Sequence, residues 1–509
     1  MGLLKYFFNL GVPCIEGKFP YGSHKELLTG AIHNNTLGKM DYDKFKSFDA
    51  YGTYLLGKPV LNITNVETIR HILVKDFNSF VDRNDPNITK MMDGGPLDQV
   101  WRKQMTALSG DEWKDVRSTF SPIFTSGKLK VMLRFIHGVG RSLKNEFGRY
   151  ADSGKDVDLK DVFGKFSLDS LAECAFGINP NSFDGGDLRF VNHAGRLFTN
   201  KAIDKLAIIR LIPGVQYLTK VLGINLITPD QTSFFRKLVT NTINQRKESG
   251  EKRNDMVDFM IDCIKNDGSM EKEEKEQDQF HKDMELKDAK KSKGMKLDED
   301  MVVATALLIL IAGYDTTGIT LSFLAYHLAA NPEIQARLQE EIDQAFNDNN
   351  GKLPDYTIIQ ELPYIEMCIL ETLRMHPPVG MLTRVCTKDT TIPNYSHPIK
   401  KNDLLNIPVS GIHFDPRYYP NPKQFNPENF SKEARSGRSP YTFFAFGQGP
   451  RACLGMRFAM LEAKVALLEI LSEYNFAPSN SNPDVFDLDP ERILGFVKGG
   501  LFAKITKRN

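Results

Sequence analysis

Apolar residues recur every three or four positions over 112–122, 127–149, 160–176, 230–248, 256–265, 332–346 and 358–375, a spacing that places them on one face of a helix. Alternation with a period of two is confined to short stretches. Residues 50–64, AYGTYLLGKPVLNIT, are β-branched and aromatic about Gly57-Lys58 and predict a hairpin. Strand-like pieces return at 381–407, and the last 35 residues predict turns and a small hairpin. The pattern predicts a mainly α fold with a small β portion.

One segment breaks the amphipathic rule. Residues 300–330, DMVVATALLILIAGYDTTGITLSFLAYHLAA, are apolar on nearly every face and would span about 45 Å as a helix. Hydropathy alone admits a membrane span. However, Asp315, Thr316 and Thr317 stand near its midpoint between Gly313 and Gly318. A carboxylate at that depth is costly in lipid unless a partner or a reaction uses it. With LDED running into it and Asn331-Pro332 after it, the segment reads as a long core helix with a polar centre.

Composition narrows the picture. The 509 residues are 41% hydrophobic and 25% charged, enough for a large core. A net charge of +1 supplies no overall field for nucleic acid, so none is expected as a partner. The six cysteines are scattered without a C-x-x-C pair, which disfavours a disulfide framework or a zinc site. Residues 266–299 mix charges of both signs densely and predict a solvated linker. The helices on either side need mutual burial, so the linker lies within one domain. At the N-terminus, Lys5 and Asn9 interrupt the apolar residues, leaving them too short for a span or a signal peptide.

Candidate chemistry concentrates in FAFGQGPRACLG, residues 444–455. G-Q-G-P-R-A has the G-x-G-x-x-A form of a dinucleotide fingerprint, but no βαβ unit follows it. A thiolate holder explains more. Gly447, Gly449 and Gly455 permit a tight loop that can approach a flat ligand, and Cys453 falls near the start of the apolar helix 453–474. With Arg451 two positions away, the sulfur suits an iron ligand facing an anionic cofactor.

Phe446 to Gly455 resembles the haem-thiolate signature of the cytochrome P450 family, F-x-x-G-x-R-x-C-x-G, at every fixed position. Four further segments are similar to the family's motifs. They are the acid-threonine pair Asp315-Thr316, the E-x-x-R of Glu371 and Arg374, the W-x-x-x-R of Trp113 and Arg117, and Arg384 in MLTRVC; Arg83 in FVDRND is a weaker match. Pro427-Glu428-Asn429-Phe430 departs from the pattern, with Asn429 where the family more often has Arg.

The resemblance implies a single large domain, 31–509, with a P450 fold enclosing haem b, and a remnant of a membrane-proximal segment at 1–30. It implies a monooxygenase with Cys453 as axial thiolate, Asp315 and Thr316 relaying protons, and Trp113, Arg117, Arg384, Arg451, Phe446 and Arg83 around the cofactor. Implied partners are a lipophilic substrate, NADPH–cytochrome P450 reductase, cytochrome b5 as a further electron donor, and the cytosolic face of the endoplasmic reticulum membrane. A thiolate-haem isomerase or dehydratase and a non-catalytic haem binder are the competing classes, and the acid-threonine pair argues against the first. Residues 205–227 predict a segment dipping into the bilayer interface. Lys432, Arg435, Arg438, Lys128, Lys130 and Arg457 predict a basic face for an acidic reductase.

Overall fold

A 32-residue helix runs through the centre of the computed structural model, which describes residues 5–19, 21–84, 95–186, 188–196, 217–218, 221–223, 225, 229–265, 298–483 and 486–508. The chain first lays down α1 (Asn34–Phe45), β1 (Ala50–Leu55), β2 (Lys58–Ile63), α2 (Gly110–Phe120), α3 (Ser126–Ser153), β3 (Val157–Asp158), α4 (Leu159–Leu171), α5 (Pro229–Ser249) and α6 (Met256–Lys265). The central helix, α7 (Glu299–Ala330), is followed by α8 (Pro332–Asp348), α9 (Pro363–Met375), β4 (Leu382–Val385), β5 (Leu404–Ile407), α10 (Met456–Leu471), β6 (Tyr474–Pro478) and β7 (Phe502–Lys507). Most of the linker 266–299 and most of 205–227 lie outside the described residues.

α7 is a core helix. Other parts of the protein bury 72% of its most apolar stretch. Asp298 caps it by accepting from Met301 N at 2.7 Å, and Lys103 and Arg236 tie down Asp300. α4 packs along one side of α7, and α10 meets it from another. The helical pattern over 358–375 resolves into Tyr356–Gln360 and α9, because Pro363 opens a fresh helix at its first position. The apolar spacing gave no sign of α1, whose buried face mixes Leu37, Gly38 and Tyr42 with Asn35 and Asp41.

Two small sheets flank the helices. One has the order β1-β2-β5-β4, with β2 and β5 parallel and the other neighbours antiparallel. Its hairpin turns at Leu56-Gly57, one residue earlier than expected, with φ of 49° and 83°. A two-residue hairpin of this hand needs positive φ at both positions, so Lys58 already pairs with Leu55. The other sheet, β3-β7-β6, pairs the last two strands across a long connection instead of a tight turn. Near the N-terminus Phe7 is buried against Gly52, where a Cβ would lie 2.2 Å from its ring, and its N–H donates to Tyr54 Oη at 3.0 Å. Packing is thus continuous across residue 30.

Glu371 and Arg374 lie three apart on α9, and both are wholly buried. Arg374 donates from Nε and Nη2 to the two carboxylate oxygens at 2.7 and 2.8 Å, and from Nη1 to the carbonyls of His413 and Pro422 at 2.8 and 2.9 Å. Glu371 Oε1 also accepts from Asn426 N and from Asn429 Nδ2, each at 3.0 Å. Asn429 thus gives Glu371 a neutral hydrogen bond, where the resemblance implied a charged arginine. Arg438 approaches instead, donating to Asn429 O at 2.8 Å with its guanidinium 4.2 Å from the Tyr419 ring centre. It is half-buried and turned inward, a correction to its expected place on the basic face for a reductase.

Glu371→Ala should leave the Arg374 charge buried without its partner, at a cost of about 3–5 kcal/mol. The expected result is a clearly lower unfolding temperature and poor haem loading. Unchanged thermal unfolding would show the pair to be dispensable.

Candidate functional site

The loop before α10 is built on two glycines. Gly447 and Gly449 have φ of 72° and 69°, and a Cβ on Gly449 would lie 2.1 Å from Leu73 O. Its close approach is to protein backbone, and Gly455 has an ordinary φ of −89°, which corrects the expectation that all three glycines open space for a ligand. Phe446 is half-buried, and its carbonyl accepts from Cys453 N at 2.7 Å, closing the loop.

Cys453 presents open surface although the fold encloses it, so its side chain faces an internal space. α10 begins only at Met456. Burial pushes the thiol up, and the Gly455 N–H with the charges of Arg117 and Arg83 pull it back only in part. Burial outweighs the expected helix-terminus effect. A sulfur placed here becomes an anion when a metal cation supplies the missing charge.

Four arginines converge on this space. Arg117 Nη1 donates to Ala452 O at 2.8 Å, and Arg83 Nη2 bonds to Arg451 O. Arg384 is fully buried with Nη1 on Thr383 O at 2.9 Å, while its Nε and Nη2 have no partner among the described residues; nor has Arg83 Nε. Arg451 donates to the carbonyls of Val81, Met105 and Leu108 at 3.0, 3.4 and 2.9 Å, and lies 3.9 Å from the Trp113 ring centre. Three of its donors are thus committed to backbone, so it braces the 81–108 stretch as well as the loop. Burial first, and then mutual repulsion, lowers these guanidiniums: Arg451 to about 8, Arg83 to about 10, and Arg384 well below its usual range. Among the described residues, Arg451 meets the Asp82 carboxylate at 3.9 Å. Unfilled donors on a crowded cationic cluster fit a cofactor carrying two carboxylates.

The second group lies on α7. Ala312 is exposed and Leu308, Ile309 and Thr316 are partly so, a stripe at helical spacing along an otherwise buried helix. Thr316 donates its hydroxyl to Ala312 O at 2.5 Å, which leaves Oγ1 as an acceptor on that stripe. Asp315 points elsewhere: it is 2% exposed and Oδ2 has no partner among the described residues. Burial raises its carboxyl to about 6, opposed by the charges of Lys160 and Arg492. A surface pocket lined in part by Lys160, Ile319, Arg492 and Phe496 opens one turn beyond Asp315.

Sequence reasoning missed His413, which joins the two halves of the motif set. Its Nδ1 donates to Arg374 O at 3.0 Å and its Nε2 accepts from Phe444 N at 2.9 Å. Burial lowers it to about 3, keeping the ring neutral as that bonding requires. A lone histidine in GIHFDP carries no spacing signal that could have revealed this.

Asp315 also makes a pH prediction. Its folded value lies above its unfolded one, so the folded state holds more protons between about pH 4 and 6. Its contribution to stability is therefore greatest below the unfolded value and is lost as pH rises through about 6. Asp315→Asn should raise stability at pH 7.5 by up to about 3 kcal/mol and flatten that part of the profile. Parallel stability–pH curves for the two proteins would refute this.

Comparison with known proteins agrees with the geometry. The chain is 32% identical over 490 residues to cytochrome P450 6k1 of Blattella germanica, covering 94% of this chain and 90% of that one. It is 33% identical over 462 residues to cytochrome P450 3A2 of Rattus norvegicus, covering 90% and 85%. Against cytochrome P450 6B1 of Papilio polyxenes it is 31% identical over 516 residues, covering 100% and 98%. The family described as Cytochrome P450 matches residues 27–499, and with the thiol loop, the arginine cluster and the buried Glu371–Arg374 pair in place, the chain belongs to the cytochrome P450 family.

Proposed function

We propose that Cys453 is the axial thiolate of the haem in this monooxygenase and that Asp315 and Thr316 handle the protons of its reaction. The observation that carries the reading is Cys453 opening on an enclosed space beside a cluster of four guanidiniums, two of which, Arg384 and Arg83, have donors without a partner among the described residues. When bound, the haem supplies an iron at which molecular oxygen is activated, one oxygen atom entering the substrate and the other leaving as water.

The chain's own residues do the rest. Arg384 through Nε and Nη2, and Arg83 through Nε, would hold the haem carboxylates, with Arg117 beside them. Trp113 and Arg451 support that wall through their stacked contact, and Phe446 fixes the backbone of the thiolate loop. Asp315 Oδ2 holds a proton for part of the time near neutral pH, because burial disfavours its charge. Thr316 Oγ1 accepts on the open stripe and, by giving up its bond to Ala312 O, can donate there. Lys160 and Arg492, whose charges act on Asp315, line a surface pocket one turn beyond it. The apolar stripe of Leu308, Ile309 and Ala312 suits a lipophilic substrate.

Electrons come from NADPH through a flavoprotein reductase, NADPH–cytochrome P450 reductase, with cytochrome b5 as a second donor. Exposed Lys130, Lys432 and Arg435 support docking of an acidic partner. We place the protein on the cytosolic face of the endoplasmic reticulum, with residues 1–30 next to the membrane. Exposed Tyr217, Leu218, Val221 and Leu222 support contact with its surface.

Reduced protein under carbon monoxide should show the strongly red-shifted Soret band of thiolate haem, and Cys453→Ser should lose it. The same band in the variant would remove Cys453 as the ligand. Thr316→Ala should keep its haem while product per NADPH falls and peroxide release rises; unaltered coupling would leave Thr316 only its bond to Ala312.

A further inference from the structure

The start of α1 holds two distant turns of the chain together. Its N-cap, His33, is buried, and its Nδ1 accepts from Asn35 N at 3.1 Å. The ring proton therefore sits on Nε2, which donates to Leu494 O at 3.2 Å. Asn35, also buried, commits both ends of its amide to one short turn. Its Nδ2 donates to Pro377 O and its Oδ1 accepts from Gly380 N, each at 3.0 Å. A carbonyl can only accept and an N–H only donate, so these partners fix which way the amide faces. The two turns meet at this side chain. A Cβ on Gly495 would lie 3.4 Å from Asn35 Nδ2 and 3.8 Å from Pro377 O, and one on Gly380 only 2.4 Å from Asn35 Cγ.

Each turn leaves an apolar side chain uncovered. Val379 stands between buried Pro378 and Gly380 and is 46% exposed, while Ile493, just before Leu494, is 39% exposed. From Val379 the chain runs into β4, where Leu382 and Arg384, two apart, share a face. Arg384 belongs to the wall of unfilled donors, and Leu382 is part-open on the same side. The second turn leads to α7 instead: Gly495 and Phe496 line a pocket with Ile319 and Phe323, one turn beyond Thr316. The pair of turns thus spans from the arginine wall to the helix that carries Thr316. Residues 377–381 belong to no helix or strand, and two of them are prolines without an N–H. Besides Asn35, the backbone of that turn is held by Ser410 N, on Gly380 O at 3.2 Å.

We propose that Asn35 is a positioning residue for the substrate, pinning the two turns together with His33 so that Val379 and Ile493 form a fixed apolar rim to the space over the haem. The inference rests on the reading of the space beside Cys453 and Arg384 as the haem site. It puts a determinant of substrate fit on α1, behind the rim and soon after the segment placed next to the membrane.

The test uses haem-loaded protein and two azoles that ligate the iron, each read by its shift of the Soret band. Imidazole alone is too small to reach a rim, whereas the bulky triarylmethyl group of clotrimazole must pack against it. Asn35→Leu removes both amide bonds at similar volume. It should weaken clotrimazole about fivefold, the factor that one net hydrogen bond supplies, with imidazole affinity and the carbon monoxide band unchanged. Val379→Ala should show the same selective loss through the apolar contact it removes. His33→Gln keeps a donor for Leu494 O and should bind both azoles as the unaltered protein does, while His33→Leu should repeat the loss. If Asn35→Leu does not load haem, the contrast between the two His33 variants carries the test. Equal weakening of both azoles would make Asn35 a general brace of the fold, and undiminished clotrimazole affinity in Asn35→Leu or Val379→Ala would remove the rim; either result overturns the proposal. Failure of the haem-site reading is separate, appearing as an unaltered protein whose Soret band does not move with imidazole.

Discussion

A buried guanidinium must find acceptors for five N–H groups, and Arg374 meets that demand with parts of the chain remote from its own helix. Glu371 takes two of its bonds, and the carbonyls of His413, Pro422 and Gln424 take others. His413 then passes the constraint onward, from Arg374 O to Phe444 N at the start of the cysteine loop. The position of Cys453 is thus set by a chain of obligatory hydrogen bonds that begins on α9. Hydrophobic burial brings these segments together, but it is non-directional and could not alone fix the loop's register.

α7 divides its work between two consecutive residues. Asp315 turns toward Lys160 and Arg492, and Thr316 toward the internal space. The helix can afford these polar groups because each has a distinct environment. Asp315 sheds its charge readily, and Thr316 satisfies its own donor on the backbone.

Much of this was legible in the sequence because it rests on short spacings. The ten-residue cysteine signature, E-x-x-R and the acid-threonine pair each lie within a turn or a loop, and the apolar periods marked most helices within a few residues. What escaped depends on distant closure. His413 acts through partners brought close only by the fold. Arg451 resembled a cofactor contact, yet its reach into the carbonyls of Val81, Met105 and Leu108 has no local signature. α1 hid because its buried face is partly polar. The inward turn of Arg438 depended on where Tyr419 and Asn429 would stand.

The arginine cluster also bears on the order of assembly. Arg83, Arg117, Arg384 and Arg451 come from four separate parts of the chain, and each disfavours the charge of at least one other. Bringing them together early in folding would work against the apolar collapse that draws their segments inward. The helices and the Glu371–Arg374 network can form first, because their charges cancel locally. The arginine-lined wall then closes most readily around a dianionic molecule. A bound group carrying two carboxylates would therefore stabilise the folded chain as well as equip it for chemistry.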